Sequence, residues 1–395
     1  MRGTLVRRTW VWNPGVYAPA RHRRSCGYEA LIPAALHDLN LQLPGDVAGV
    51  VSDAEQAVAD LNRRAGAELA PLARLLLRTE SIASSKVEGM QVDARALARA
   101  EANQDAGRRV RPEAVEILAN IDAMLLAIER ASTATPIRVA DIVDIHTALL
   151  ARGPSAGIAG RVRTSQNWIG GNDHNPCGAD FVPPPPEEVE RLLHDLALFC
   201  NEQTLPPLVQ AAIAHAQFET IHPFVDGNGR TGRALVQIVL RRRGLAPAFV
   251  PPVSVILARA RDRYIEGLTR FRDDRIAEWL EMFAVATRQA TDLAVRYAGR
   301  VAELQERWRH QLRETSNPRA DAAAWAVIEI LPAHPVVTVP VAVTATRRTK
   351  PAVSNAVAEL EAAGVLRRLT ESARNRAWEA EGLLDLVVSL ESGLD

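Results

Sequence analysis

Lysine is almost missing from this 395-residue chain: only Lys86 and Lys350 occur among forty-seven basic residues. So uniform a preference for arginine reflects codon usage more than a phosphate-binding design, and no function is read from it. Net charge is missing too. Forty-seven acidic residues balance the basic ones, which excludes bulk attraction to nucleic acid or to an anionic membrane and leaves only local patches. Cysteine is scarce: Cys26, Cys177 and Cys200 are odd in number and lack metal-ligand spacing, so neither a disulfide framework nor a zinc site is expected. The reducing cytoplasm is the expected compartment. No apolar stretch reaches the roughly 18 residues needed to span a bilayer, and Arg7 and Arg8 run into Trp10, Trp12 and Pro14 instead of a signal-peptide core. No membrane partner is expected. Aromatic residues are few, yet 47% of the chain is apolar, enough for the cores of two or three domains.

What is present is helical periodicity. Residues 1 to about 44, punctuated by Pro14, Pro19 and Pro33, read as irregular chain wrapped over another surface. From about 45 to 152 apolar residues recur at three and four, as in Val50, Ala54, Val58 and Leu61, or Ile117, Ile121 and Leu125. Residues 161–182 interrupt the pattern with two β-prone pieces around a Gly/Asn/Asp turn, read as a hairpin closed by Pro183 to Pro186. Helices are expected over Pro207 to Thr220, Arg230 to Arg243 and about 274–313. Ser316, Asn317 and Pro318 form the linker candidate. Beyond it the reading is a helix, a short extended piece, two further helices and two strands, the order of a winged helix-turn-helix.

The chemistry concentrates in the run His222, Pro223, Phe224, Val225, Asp226, Gly227, Asn228, Gly229, Arg230, Thr231, Gly232, Arg233. Gly227 and Gly229 can take the positive φ that turns successive N–H groups into one concavity, and the periodicity of Leu235, Ile238 and Val239 starts a helix just beyond. A loop feeding a helix N-terminus in this way binds phosphate. The imidazole of His222, with an ordinary pKa near 6.5, can take a proton at neutral pH, and Asp226 offers a hard oxygen ligand. Phe224 is read as the loop's apolar anchor.

The run resembles the Fic family signature, His-x-Phe-x-Asp/Glu-Gly-Asn-Gly-Arg-x-x-Arg, at every fixed position. The resemblance implies a mainly α fold, a Fic-type helical bundle with a β-hairpin flap, joined here to a C-terminal winged helix-turn-helix. It implies His222 as the base that deprotonates a target hydroxyl, Asp226 as the Mg²⁺ ligand, and Gly227, Asn228, Gly229, Arg230 and Arg233 as the nucleotide-binding set, with Arg233 meeting the γ-phosphate of ATP. The 161–182 hairpin resembles the family's flap, where Trp168 and Ile169 fit either a target-docking edge or an ordinary core. Ser84 and Glu88 fit the family's inhibitory motif, four apart on one helical face and followed by a stop at Gly89.

The expected organisation is an N-terminal region over 1–110 with an inhibitory helix at about 69–89, a catalytic core over 111–315, and the winged module over 320–395. In that module Lys350, Ser354, Asn355, Arg374 and Arg376 are the candidate DNA contacts, although such modules also dock proteins. No signature residue lies past the linker, so the module is expected to be dispensable for catalysis. The implied activity is transfer of AMP from ATP to a Ser, Thr or Tyr hydroxyl of a target protein or of the chain itself, restrained by Glu88 pairing with Arg233. Removal of AMP with Glu88 positioning water, and a DNA-binding regulator with the Fic domain as nucleotide sensor, stand as alternatives.

Overall fold

The computed structural model describes residues 3–37, 39–64, 70–91, 94–105, 109–133, 135–369 and 376–392. In chain order the elements are β1 (Thr4–Trp10), β2 (Cys26–Ile32), α1 (Gly45–Arg64), α2 (Ala70–Val87), α3 (Ala94–Asp105), α4 (Pro112–Ala131), α5 (Val139–Leu150), α6 (Pro186–Phe199), α7 (Pro207–Ile221), α8 (Asn228–Arg242), α9 (Val253–Arg259), α10 (Arg261–Arg272), α11 (Ile276–Thr315), α12 (Ala323–Ile330), β3 (Val336–Thr338), α13 (Val339–Thr346), α14 (Lys350–Ala362), β4 (Leu366–Arg368), β5 (Ala377–Ala380) and α15 (Leu383–Ser392). The chain is mainly helical, and it divides into two compact units that each draw on separated stretches of sequence.

The first unit comprises residues 1–55, 122–245 and 260–285. Its centre is α7, buried from Leu208 to Ile221. Its apolar residues fall on every side, with Gln210, His215, Gln217, Glu219 and Thr220 buried among them, and Pro206 and Pro207 start the helix cleanly because proline is preorganised for the first helical position. Phe199, Phe218, Phe224, Trp279 and Phe283 fill the space around it, and the Trp279 indole donates to the Ala212 carbonyl. At Gly232 a Cβ would lie 2.9 Å from Phe218, so glycine is what lets α8 approach α7. The stretch read as irregular over 1–44 instead contains a hairpin: β1 and β2 pair antiparallel from Thr4 with Ile32 to Trp10 with Cys26. The prolines stand in the connection and beyond β2, leaving both strands free of them.

The second unit comprises residues 56–121, 246–259 and 286–395. Leu76 and Leu97 from α2 and α3, Leu304 and Trp308 from α11, and Val327, Leu360, Trp378 and Leu383 from the C-terminal segment share one core. The three-stranded sheet has the order β3, β5, β4. Arg95 reaches both Asp385 and the buried Glu379, and the Trp308 indole donates to the Glu381 carbonyl. Boundaries at 110 and 315 therefore do not coincide with the packing units, because periodicity identifies helices but not the partners their apolar faces meet.

Candidate functional site

The signature run occupies the turn between α7 and α8. His222 ends α7 in the left-handed conformation, φ 49°, its N–H donating to the Phe218 carbonyl. A non-glycine residue rarely takes this conformation; here it swings the chain out of α7 and leaves the imidazole about 20% exposed. Its Nδ1 faces the Glu219 carbonyl at 3.4 Å and the Glu219 carboxylate at 3.8 Å. Two residues on, Phe224 is fully buried and stacks on His146 with ring centroids 3.7 Å apart. Asn228 then locks the loop, accepting from the Phe224 N–H and donating to the Phe224 carbonyl. Its side chain is spent on the loop, so only its main chain remains for a phosphate cradle.

Gly227 takes φ 78° as the residue before α8, and a Cβ there would lie 3.1 Å from Leu149 and 3.4 Å from His146. Both the conformation and the close approach require glycine. Gly229 does not share the role read for it: it sits inside the first turn of α8, where helical hydrogen bonding and not a positive φ sets its backbone. The cradle is thus a helix N-terminus entered through one left-handed glycine, where first-turn N–H groups lack intrahelical acceptors. Arg230 and Arg233 leave that turn and are each 2% exposed, with Arg230 3.7 Å from the Asp226 carboxylate. Asp226 itself is 47% exposed; one carboxylate oxygen accepts from the Gly227 N–H and the other from the Ser155 hydroxyl.

Residues not singled out in the sequence hold this loop. His146 on α5 accepts the Gly160 N–H at Nδ1 and so presents Nε2–H to the Asp226 carbonyl, 2.9 Å away. That arrangement needs a neutral ring, and burial lowers the His146 pKa below its ordinary value. Arg163 is buried and donates to the carbonyls of His222, Ser165, Pro184 and Ile221. Burial lowers its pKa to about 10, which leaves it charged at neutral pH. Asn167 donates to the carbonyls of His222 and Phe224. The start of the 161–182 segment is thereby stitched to the turn between α7 and α8. No spacing rule could have found these residues, because their partners are main-chain carbonyls that every residue carries.

The 161–182 segment pairs only at Ile169 with Phe181; Gly170, Gly171 and Gly178, all at positive φ, leave its turn irregular, so it is a single bridge and not a two-stranded hairpin. Trp168 and Ile169 are both half-buried, and Trp168 packs edge-on against Trp10. The expectation of no disulfide is overturned here: Cys26 and Cys177, 151 residues apart, are bonded, leaving Cys200 free and buried. Cysteine counting fails because the pair depends on tertiary approach of β2 and the segment's turn. In the second unit Ser84 is buried near the end of α2 and Glu88 is exposed just beyond it, before Gly89 at φ 86°. Lys350, Ser354 and Asn355 share the exposed face of α14, and Arg376 is exposed before β5; Arg374 lies outside the described residues.

Residues 136–240, from just before α5 through nearly all of α8, match the Fic/DOC family, and residues 49–129 match the Fic/DOC family N-terminal region. The chain thus carries a Fic/DOC family domain over residues 136–240, with the family's N-terminal region over 49–129. A protein adenylyltransferase of Caenorhabditis elegans is 36% identical over 118 residues, 29% of this chain and 21% of that protein. One from Nematostella vectensis is 33% identical over 159 residues, 40% of this chain and 34% of that protein. The chain thus spans about a third or less of the length of these relatives. A Fic family protein from Desulfovibrio desulfuricans shares the fold with a TM-score of 0.53 at 22% identity, covering 87% of this chain and 98% of its own.

Proposed function

We propose that this Fic protein transfers AMP from ATP to a hydroxyl of a protein. The observation that supports the reading most is the partly exposed His222 imidazole at the end of α7, in the turn that carries Asp226 and leads into the helix of Arg230 and Arg233. With Nδ1 turned to the acceptors of Glu219, the ring hydrogen belongs there and Nε2 is the basic nitrogen. It takes the proton as the target oxygen bonds to the α-phosphorus; the bond from that phosphorus to the bridging oxygen breaks and pyrophosphate leaves. First-turn N–H groups of α8 and the two arginines balance the phosphate charge.

Asp226 suits Mg²⁺: its carboxylate is accessible, and each oxygen keeps a lone pair beyond the hydrogen bond it accepts. Among the described residues no three His, Cys, Asp or Glu side chains form a metal cage, in keeping with an ion that takes most ligands from water and nucleotide phosphates. When bound, Mg²⁺ would neutralise phosphate charge. The adjoining segment at Ile169 is assigned to docking the target main chain, and Glu88, just beyond the end of α2 with Ser84 buried one turn before it, to restraining the reaction through Arg233. Lys350, Ser354, Asn355 and Arg376 form the face offered to DNA or to a protein.

Incubation with α-labelled ATP and Mg²⁺ tests the reading. Wild-type protein labels itself or an added protein, whereas His222→Ala drops labelling by about 10²-fold or more with ATP affinity unchanged in calorimetry. Equal labelling by the variant removes His222 as base.

A further inference from the structure

The segment assigned to target docking has little strand pairing of its own. Between Asn167, tied to the catalytic turn, and Val182 it contains one bridge and three glycines at positive φ. Within the turn Asn172 accepts the His174 and Asn175 N–H groups and Asn175 accepts the Cys177 N–H, and the turn as a whole is fastened to the β1–β2 hairpin. The Leu31 N–H of β2 donates to the Val182 carbonyl, and Trp168 meets Trp10 with centroids 5.4 Å apart. At the turn the buried Asn175 side chain donates to the His22 carbonyl, and the His22 and His174 rings lie 5.3 Å apart. Between these contacts sits the Cys26–Cys177 bond. Both cysteines are partly exposed and open to exchange, in contrast to Cys200, whose thiol burial pushes up to about 12.

We propose that Cys26 and Cys177 form a redox-controlled tether that orders the 168–182 segment. In the oxidised state the turn is fastened to β2; in the reduced state it is released while Arg163 and Asn167 still hold its base, so the docking edge is altered and the nucleotide site is spared. The inference rests on the docking role proposed for this segment. Closure follows thiol–disulfide exchange: the two thiols give up two protons and two electrons to a small disulfide such as oxidised glutathione, which becomes two thiols as one sulfur–sulfur bond is exchanged for another. A reversible disulfide of this kind is the sort that occurs in otherwise reducing compartments.

Full-length protein equilibrated with oxidised glutathione, then alkylated and mapped without reductant, is expected to yield a Cys26–Cys177 linked peptide and alkylated Cys200 after unfolding. Limited proteolysis within 170–180 is expected to accelerate about tenfold or more on reduction, as the local opening free energy falls. Cys26→Ser and Cys177→Ser should each show the fast rate and ignore reductant, with the ATP affinity of wild type. Alkylated Cys26 and Cys177 after oxidation overturn the tether, as does a cleavage rate indifferent to reductant. One zinc per chain bound by the reduced protein and lost in Cys26→Ser also overturns it, in favour of a metal site built from the His22-x₃-Cys26 and His174-x₂-Cys177 spacings. Neither mapping nor proteolysis requires nucleotidyl transfer, so their failure leaves the proposed activity standing, and loss of labelling leaves the tether standing.

Discussion

At the scale of single residues, the site is a set of groups whose direction is fixed by their neighbours. Asp226 is directed by the Gly227 N–H and the Ser155 hydroxyl while its main chain is held by His146. Asp226→Ala should therefore abolish Mg²⁺-dependent labelling and weaken ATP binding in the presence of the metal only; calorimetry with and without Mg²⁺ checks it, and an unchanged metal dependence makes the carboxylate structural. Protonation supplies a second measurement. Burial lowers the pKa of His146 and takes His215 to about 3 and His334 to about 4, from an ordinary 6.5. Below 6.5 the unfolded chain binds protons that the folded chain refuses, so the stability these rings contribute is present above 6.5 and is lost as pH falls toward the folded values. The Tm is expected to drop by several degrees between about pH 7 and about pH 5. His334→Asn, a substitution in the second unit, should flatten part of that slope.

At the scale of elements, α2 is the regulatory candidate. Its end is well defined: the Gly89 N–H donates to the Lys86 carbonyl and the Met90 N–H to the Ser85 carbonyl, with Gly89 left-handed, a glycine stop of the usual kind. Glu88 thereby lies in the turn that closes α2. A carboxylate near a helix C-terminus opposes the macrodipole by a few tenths of a kcal/mol, and a cationic partner offsets this. If Glu88 restrains Arg233, Glu88→Gly should raise labelling by about tenfold or more, equivalent to about 1.4 kcal/mol of barrier. Arg233→Ala in that background should remove the gain. An unchanged rate in a folded Glu88→Gly protein sinks the restraint, and loss of an AMP-removing activity supports the reverse reaction.

At the scale of the whole molecule, the C-terminal segment is not an appendage. Leu97 of α3 and Leu76 of α2 bury their side chains in the core that also holds Val327, Trp378 and Leu383, and Arg95 pairs with Glu379 and Asp385. Truncation after Thr315 therefore removes the cover of α2 and α3 and leaves Arg95 without these carboxylates. The signature residues remain, so catalysis should survive, but with a lower Tm and, since α2 loses support, labelling raised toward that of Glu88→Gly. Scanning calorimetry and self-labelling of the truncated chain decide this; an unchanged Tm means the shared core contributes little.

The local sequence determined the helices, the α7–turn–α8 signature and the left-handed Gly227, because periodicity, proline starts and glycine conformations act over a few residues. The run from His222 to Arg233 carried enough fixed chemistry to point to the family. Only the tertiary structure decided what holds them. Arg163 and Asn167 act on main-chain carbonyls, His146 works through a tautomer set by Gly160, and Cys26 finds Cys177 across 151 residues. It also decided that the C-terminal segment packs with α2 and α3. A buried apolar face is indifferent to which apolar face it meets, and sequence spacing records no distance between residues far apart in the chain.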